Sequence, residues 1–276
     1  VAVVTDSTAS LPDQLVQQWG IKVIQLQLQV DDRIDDERRF DRGELVASLR
    51  ANRQVATAPP DPGAFFWAYQ DAASAGASAI VSVHLSGRMS ATVHAARQAA
   101  DQVRIPVYTL DSGTVGMSLG FAVLSAARAA AAGAQVNRVI EAAERRFTSA
   151  SELIYVDTLE YLRRGGRIGA ASAMLGTALS IKPLLTVTGG EVAPLSRVPG
   201  AKRAMNKLVD LAAQRAGARP SEVAVSCFRP TDRELAIVGQ LRERIPNLRE
   251  LSIVEASVVV GSHVGPGALS ITVAPV

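Results

Sequence analysis

The chain has 276 residues, 48% of them hydrophobic and 20% charged, with a formal net charge of +3. That length holds one large domain or two ordinary ones, and that apolar content builds a sizeable core and excludes a disordered chain. The charges of both signs are interspersed and only 4% of residues are aromatic, which argues against a nucleic-acid binder with its basic patches and stacking platforms.

Residues 1–4 read as a short buried strand running into Thr5-Asp6-Ser7-Thr8. Ser10, Pro12 and Asp13 mark a helix start, and Trp19-Gly20 its end. Apolar residues alternate with glutamines over 21–30, the pattern of one strand with a wet face. The charged run 31–39 reads as a solvated loop or hairpin tip. Asp41 and Glu44 have the spacing of a capping box and open a helix to about residue 51. Residues 55–58 are extended and run into Pro59, Pro60 and Pro62, which bar a ladder or a helix interior. Thr57 stands at that junction, and Asp61-Pro62 starts the next helix.

Residues 79–92, AIVSVHLSGRMSAT, form a strand that breaks into Ser86-Gly87-Arg88-Met89-Ser90 and resumes as a helix over 91–101. Such a turn gathers backbone amides, the hydroxyls of Ser86, Ser90 and Thr92, and the positive end of a helix dipole. It suits an oxyanion. It equally suits Ser90 capping the helix with nothing bound. A strand at 107–110 ends in Asp111-Ser112, and helices follow over 119–132 and 136–147. Strand and helix alternate, and three strand ends carry Asp, Ser or Thr. The pattern predicts a mainly parallel α/β sheet with a ligand beyond the carboxyl ends of its strands.

From residue 149 the pattern changes. A strand at 153–156 precedes a short helix, 159–164, closed by Gly165-Gly166 and followed by Arg167. A small-residue helix is predicted over 170–179 and a hairpin over 181–197, turning at Gly189-Gly190. A helix at 201–216 carries Lys202, Arg203 and Lys207. A strand at 223–228 carries the single cysteine, Cys227, and a helix at 232–244 and strands at 251–254 and 269–273 complete the chain. His263 stands in a glycine-rich turn ahead of Gly265-Pro266-Gly267. Two domains are predicted: α/β over 1–148 and α+β over 149–276.

His84, His94 and His263 occur in no metal-ligand spacing, and no glycine-rich nucleotide loop is present. Neither a metal nor a nucleotide cofactor is expected. One cysteine and the lack of an eighteen-residue apolar run fit a cytoplasmic protein without stable membrane insertion. Ser86, His263 and either Asp6 or Asp111 supply the residue types of a catalytic triad, but the nucleophile elbow is absent. A hydrolase or transferase acting on a small acyl substrate remains an alternative.

Taken in order, seven segments resemble the DegV family of bacterial fatty-acid-binding proteins. They are Thr5-Asp6-Ser7-Thr8; Thr57 ahead of Pro59-Pro60; Leu85-Ser86 with Met89-Ser90-Ala91-Thr92; Asp111-Ser112; Arg163-Arg164-Gly165-Gly166-Arg167-Ile168; Ile181-Lys182-Pro183-Leu184; and His263 with Gly265-Pro266-Gly267. The resemblance spans essentially the whole chain. It implies a two-domain α/β protein, not itself catalytic, with one long-chain fatty acid between its domains. The better understood members present the acid's carboxylate to a separate ATP-dependent fatty acid kinase subunit, a step of phospholipid metabolism. By position, Ser86 and Thr57 would hydrogen-bond the carboxylate, His263 and Arg167 would lie close to it, and Ser90 and Thr92 would belong to the same binding loop. Lys202 and Arg203 are the candidate contact for the kinase. Met174, Leu175 and 181–185 are candidate tunnel wall. Ala91 stands where the family has glycine, and Ala58 where it has serine. A purely lipid-sensing regulator is a further alternative.

Overall fold

The computed structural model describes residues 1–176, 178 and 180–276. The first half runs β1 (Ala2–Asp6), α1 (Asp13–Gln18), β2 (Lys22–Ile24), β3 (Gln27–Val30), β4 (Arg33–Asp36), α2 (Arg42–Arg50), β5 (Val55–Ala58), α3 (Pro62–Ser74), β6 (Ile80–His84), α4 (Thr92–Ala100), β7 (Val107–Asp111), α5 (Met117–Ala131) and α6 (Val136–Ser149). The second half runs β8 (Ser151–Tyr155), α7 (Glu160–Arg164), β9 (Ile181–Thr188), β10 (Glu191–Pro199), α8 (Ala201–Ala216), β11 (Ser221–Cys227), α9 (Asp232–Arg244), β12 (Leu248–Glu255), α10 (Val258–Val264) and β13 (Leu269–Pro275).

Strands β2-β1-β6-β7 form a parallel sheet. All five residues of β6 are buried, as a central parallel strand covered on both faces requires. Ile80 packs with Phe65, Tyr69 and Ala96 of α3 and α4. Val81 and Val83 point the other way, into Leu119, Leu124 and Val139 of α5 and α6. A second, six-stranded sheet has the order β10-β9-β8-β13-β11-β12. It is antiparallel except where β11 pairs with β12. Helix α8 covers one face of it through Leu208 and Val209. A small antiparallel sheet, β4-β3-β5, completes the architecture.

Helices α5 and α6 lie between the two large sheets. The apolar cluster that holds Val81 also holds Ala224, Val254 and Ala274. Arg146 on α6 pairs with Glu222 and donates to the Pro275 carbonyl, while Arg128 on α5 reaches Glu222 at 2.7 Å. The halves therefore share a continuous core.

Four local expectations need correction. The alternating segment 21–30 is two strands, because the chain changes sheets at Gln25-Leu26, where the Leu26 amide donates to Ser7 Oγ at 3.0 Å. The charged run is not all solvated: β4 pairs with β3, and Glu37 is buried. The Glu37 carboxylate accepts from the Ser257 hydroxyl at 2.6 Å and the Val259 amide at 2.8 Å, at the start of α10. Burial holds its carboxyl above the usual range. Residues 258–264 are a helix, not a glycine turn. Three consecutive valines and a glycine disfavour helix locally, but Ser257 caps it by accepting from the Val260 amide at 3.3 Å, and Glu37 seals the same end. The small-residue helix over 170–179 is a 3-10 stretch, Gly169–Met174, in its described part; its predicted end, Leu179, lies outside the described residues.

Candidate functional site

A narrow apolar cavity runs between the two halves. Leu26, Leu85 and Met89 border it from the first half, and Ile154, Val192 and Leu269 from the second. Its atom-free space, open mouth included, is about 990 Å³, and the centre of a water-sized sphere fits in only about 100 Å³ of it. The space admits one slender chain more readily than a bulky ring system.

Thr57, Arg167 and His263 border this cavity and also a polar outer cleft that includes Asn52, Arg53 and Arg164. They form its mouth. Thr57 sits on β5, where the small sheet meets the proline turn. Its Oγ1 lies 2.9 Å from His263 Nε2 on α10. Burial first, and then the Arg167 charge, lower the His263 pKa to about 4. The imidazole is therefore neutral at neutral pH, with one ring nitrogen donating and one accepting. When Nε2–H donates to Thr57, the threonine's own hydrogen is free to donate to a ligand.

Arg167 follows α7 and is clamped by backbone. Nε donates to the Met89 carbonyl at 3.1 Å and Nη1 to the Gly165 carbonyl at 2.7 Å. Neither bond uses Nη2. Gly165 is required by close approach: a Cβ there would stand 2.2 Å from His263 Nδ1. A neutral imidazole, a hydroxyl and a fixed guanidinium at the polar end of an apolar space can hold a small anion such as a carboxylate.

Ser90 also borders the cavity, and its hydroxyl lies 2.9 Å from that of Thr92. Thr92 is fully buried and does not border the cavity, and Ala91, not Ser90, is the N-cap of α4. Ser86 is buried and likewise off the cavity. It donates to the Gly190 carbonyl at 2.7 Å and accepts from the Arg88 amide at 3.2 Å. The amides of its turn are also taken. Gly87 donates to the Asp111 carboxylate at 3.1 Å, and Met89 and Ser90 donate to the Ser86 carbonyl at 2.9 and 3.1 Å. The anion that this turn holds is Asp111. Neither Ser86 nor Thr92 lines the cavity in this structure.

The triad does not assemble. Asp6 accepts from the Leu85 and Thr8 amides and meets His84 Nδ1 at 3.0 Å; His263 bonds Thr57, and Ser86 bonds Gly190. Met174 is buried in a cluster with Ile154 and Leu162, Leu175 is exposed, and neither they nor residues 181–185 border the cavity. Lys202 and Arg203 are exposed at the start of α8, away from the cavity. Cys227 does border it, with its thiol pKa pushed up to about 11 chiefly by burial. Glu152, Ser226 and Ser270 border it as well. An acid directly ahead of the apolar run 153–155 was a readable signal for the first; the serines emerge only from strand register. Among the described residues, no group of His, Cys, Asp or Glu could hold a metal ion, and no helix is long and apolar enough to cross a membrane.

A parallel sheet and a mixed sheet, with helices between and outside them and a narrow, polar-mouthed cavity between the halves, define a class of layered α/β protein with an internal ligand space. The chain belongs to the DegV family: the family model described as an uncharacterised protein of the DegV family matches residues 1–276. A DegV domain-containing protein of Streptomyces coelicolor is 43% identical over 274 residues, 99% of this chain and 98% of that protein. The solved structure described as fatty acid binding of a DegV family protein from Thermus thermophilus superposes with a TM-score of 0.94 at 29% identity, covering 100% of this chain and 99% of that one. DegV of Bacillus subtilis, described as a fatty acid binding protein, superposes at 0.89 with 28% identity, covering 100% and 99%.

Proposed function

We propose that this chain binds one long-chain fatty acid, with its tail in the narrow cavity and its carboxylate at Thr57, Arg167 and His263, beside Ser90. The observation that carries this reading is the apolar space ending at the Thr57–His263 pair, 2.9 Å apart, with Arg167 alongside. The fatty-acid-binding descriptions of the Thermus and Bacillus relatives support it. Burying about fifteen methylenes at roughly 0.8 kcal/mol each gives on the order of 10 kcal/mol before ordering costs. Charge-assisted hydrogen bonds add about 1.5–3 kcal/mol each. The tail then dominates affinity, and the mouth decides which end faces the outer cleft.

The protein in this reading is a carrier, not a catalyst. It presents the carboxylate through that cleft to a separate ATP-dependent kinase subunit, which makes the acyl phosphate in the cytoplasm. The units on either side of the ligand are 1–148 and 149–276. Ser86 and Thr92 hold the Met89–Ser90 segment against the mouth, and Ser86 itself reaches the carboxylate on release from Gly190. Lys202 and Arg203, exposed and without ion-pair partners among the described residues, offer an acidic partner surface a contact.

Native mass spectrometry of protein purified from unsupplemented bacteria tests the first part. One long-chain acid per chain is expected, with reloading by palmitate or oleate after delipidation; a chain that is empty and takes up neither overturns it. Acyl phosphate trapped as hydroxamate, with a fatty acid kinase subunit and ATP, tests the second. K202E/R203E lowers that rate while palmitate affinity stays the same.

A further inference from the structure

The floor of the cavity is a sheet face with an unusual polar content. In register across β8, β13 and β11 lie Ile154, Ser270 and Ser226; the next row on that face is Glu152, Thr272 and Ala224. Ile154, Ser270, Ser226 and Glu152 all border the cavity. Ser226 is 6% exposed, and its hydroxyl has no hydrogen-bond partner among the described residues. Glu152 is 4% exposed. Its Oε2 accepts from the Ser118 amide at 3.2 Å, the Ser118 hydroxyl at 2.9 Å and the Thr272 hydroxyl at 2.7 Å. The Ser270 hydroxyl also hydrogen-bonds this carboxylate. Its Oε1 lies on the side of Gly116, which also borders the cavity: a Cβ on Gly116 would stand 3.2 Å from it.

Burial holds the Glu152 carboxyl above its usual range, with the neighbouring hydroxyls opposing. Polar groups this deep are ordinarily paired, because a stranded buried hydroxyl is costly. A plain alkyl tail over this floor leaves the Ser226 hydroxyl unpaired. A tail bearing oxygen at that depth pairs with it, beside Glu152, since a hydroxyl donates and accepts and an oxo group accepts.

We propose that the preferred ligand is a long-chain acid with a hydroxyl or oxo group part-way along its tail, held by Ser226 and Glu152. This rests on the fatty-acid reading above. The test is calorimetric titration of delipidated protein with octadecanoic acid and with hydroxy- and oxo-octadecanoic acids whose oxygen is moved carbon by carbon along the middle of the chain. At least one isomer is expected to bind about tenfold more tightly than octadecanoic acid. Ser226→Ala or Glu152→Gln is expected to cut that preference to about twofold or less; Ser226→Ala removes only an unpartnered hydroxyl and leaves packing intact. Octadecanoic acid binding more tightly than every oxygenated isomer overturns the proposal, as does a preference that survives both variants. In either case the fatty-acid reading stands. If no member of the series binds, both fall.

Discussion

At the ends of β1, β6 and β7, Asp6, Ser86 and Asp111 are each bonded to the backbone of a neighbouring segment. In the second half, Arg167 keeps Nη2 and Ser226 keeps its hydroxyl outside the bonds made among the described residues. Both sets are polar residues near one cavity. The first set knits loops together: Asp6 ties the turn after β1 to Leu85 and His84, and Asp111 ties the Gly87 turn to β7. The second set faces apolar space with capacity left over. A cluster of hydroxyls and acids at strand ends is therefore a structural knot when its donors and acceptors close on one another, and a binding site when they do not.

Substitutions on each side sharpen that contrast. The largest stability effect is expected from Asp6→Ala, which strips partners from the buried His84 ring, the Leu85 amide and Thr8. A loss of more than about 3 kcal/mol, read from the denaturant midpoint, is predicted, with little change in palmitate affinity of the folded protein. Arg167→Ala should do the reverse: palmitate binding weaker by about 10- to 100-fold, and a stability cost well below that of Asp6→Ala. Gly165→Ala comes next. Its φ of −74° suits alanine, but the new Cβ pushes the His263 ring off Thr57, and palmitate titration should show a loss of about three- to tenfold.

The contrast also reads out in pH dependence. His263 is held near 4, below the ordinary 6.5. The unfolded chain thus binds more protons between those values, so stability rises with pH across that window and falls as pH drops through about 4. Glu152 has the opposite sign: its raised carboxyl contributes fully below the ordinary 4.5 and loses that contribution as pH climbs through the raised value. Denaturant midpoints against pH should lose the first slope in His263→Gln and the second in Glu152→Gln.

Much of the frame was legible in sequence, because alternation and helix caps are local signals. The parallel β/α order, the capping Asp41 and Asp61, and the helix closed by Gly165 all follow from neighbours within a few residues. What was not legible depends on partners far along the chain. Ser86 bonds Gly190, 104 positions later, and no local pattern announces that. Glu37 looks like one charge in a solvated run, yet it seals a helix 222 positions on. Ser226 sits in a strand that reads as apolar, and only register across β13 and β8 sets it beside Ser270 on the cavity floor.

Crystallography of the delipidated protein reloaded with palmitate tests the central claim most directly. The account predicts continuous density in the cavity, with the carboxylate within hydrogen-bond reach of Thr57 Oγ1 and Arg167 and the tail running between Met89 and Ile154. A palmitate whose carboxylate lies elsewhere, or a cavity that stays empty while palmitate binds at another surface, contradicts it.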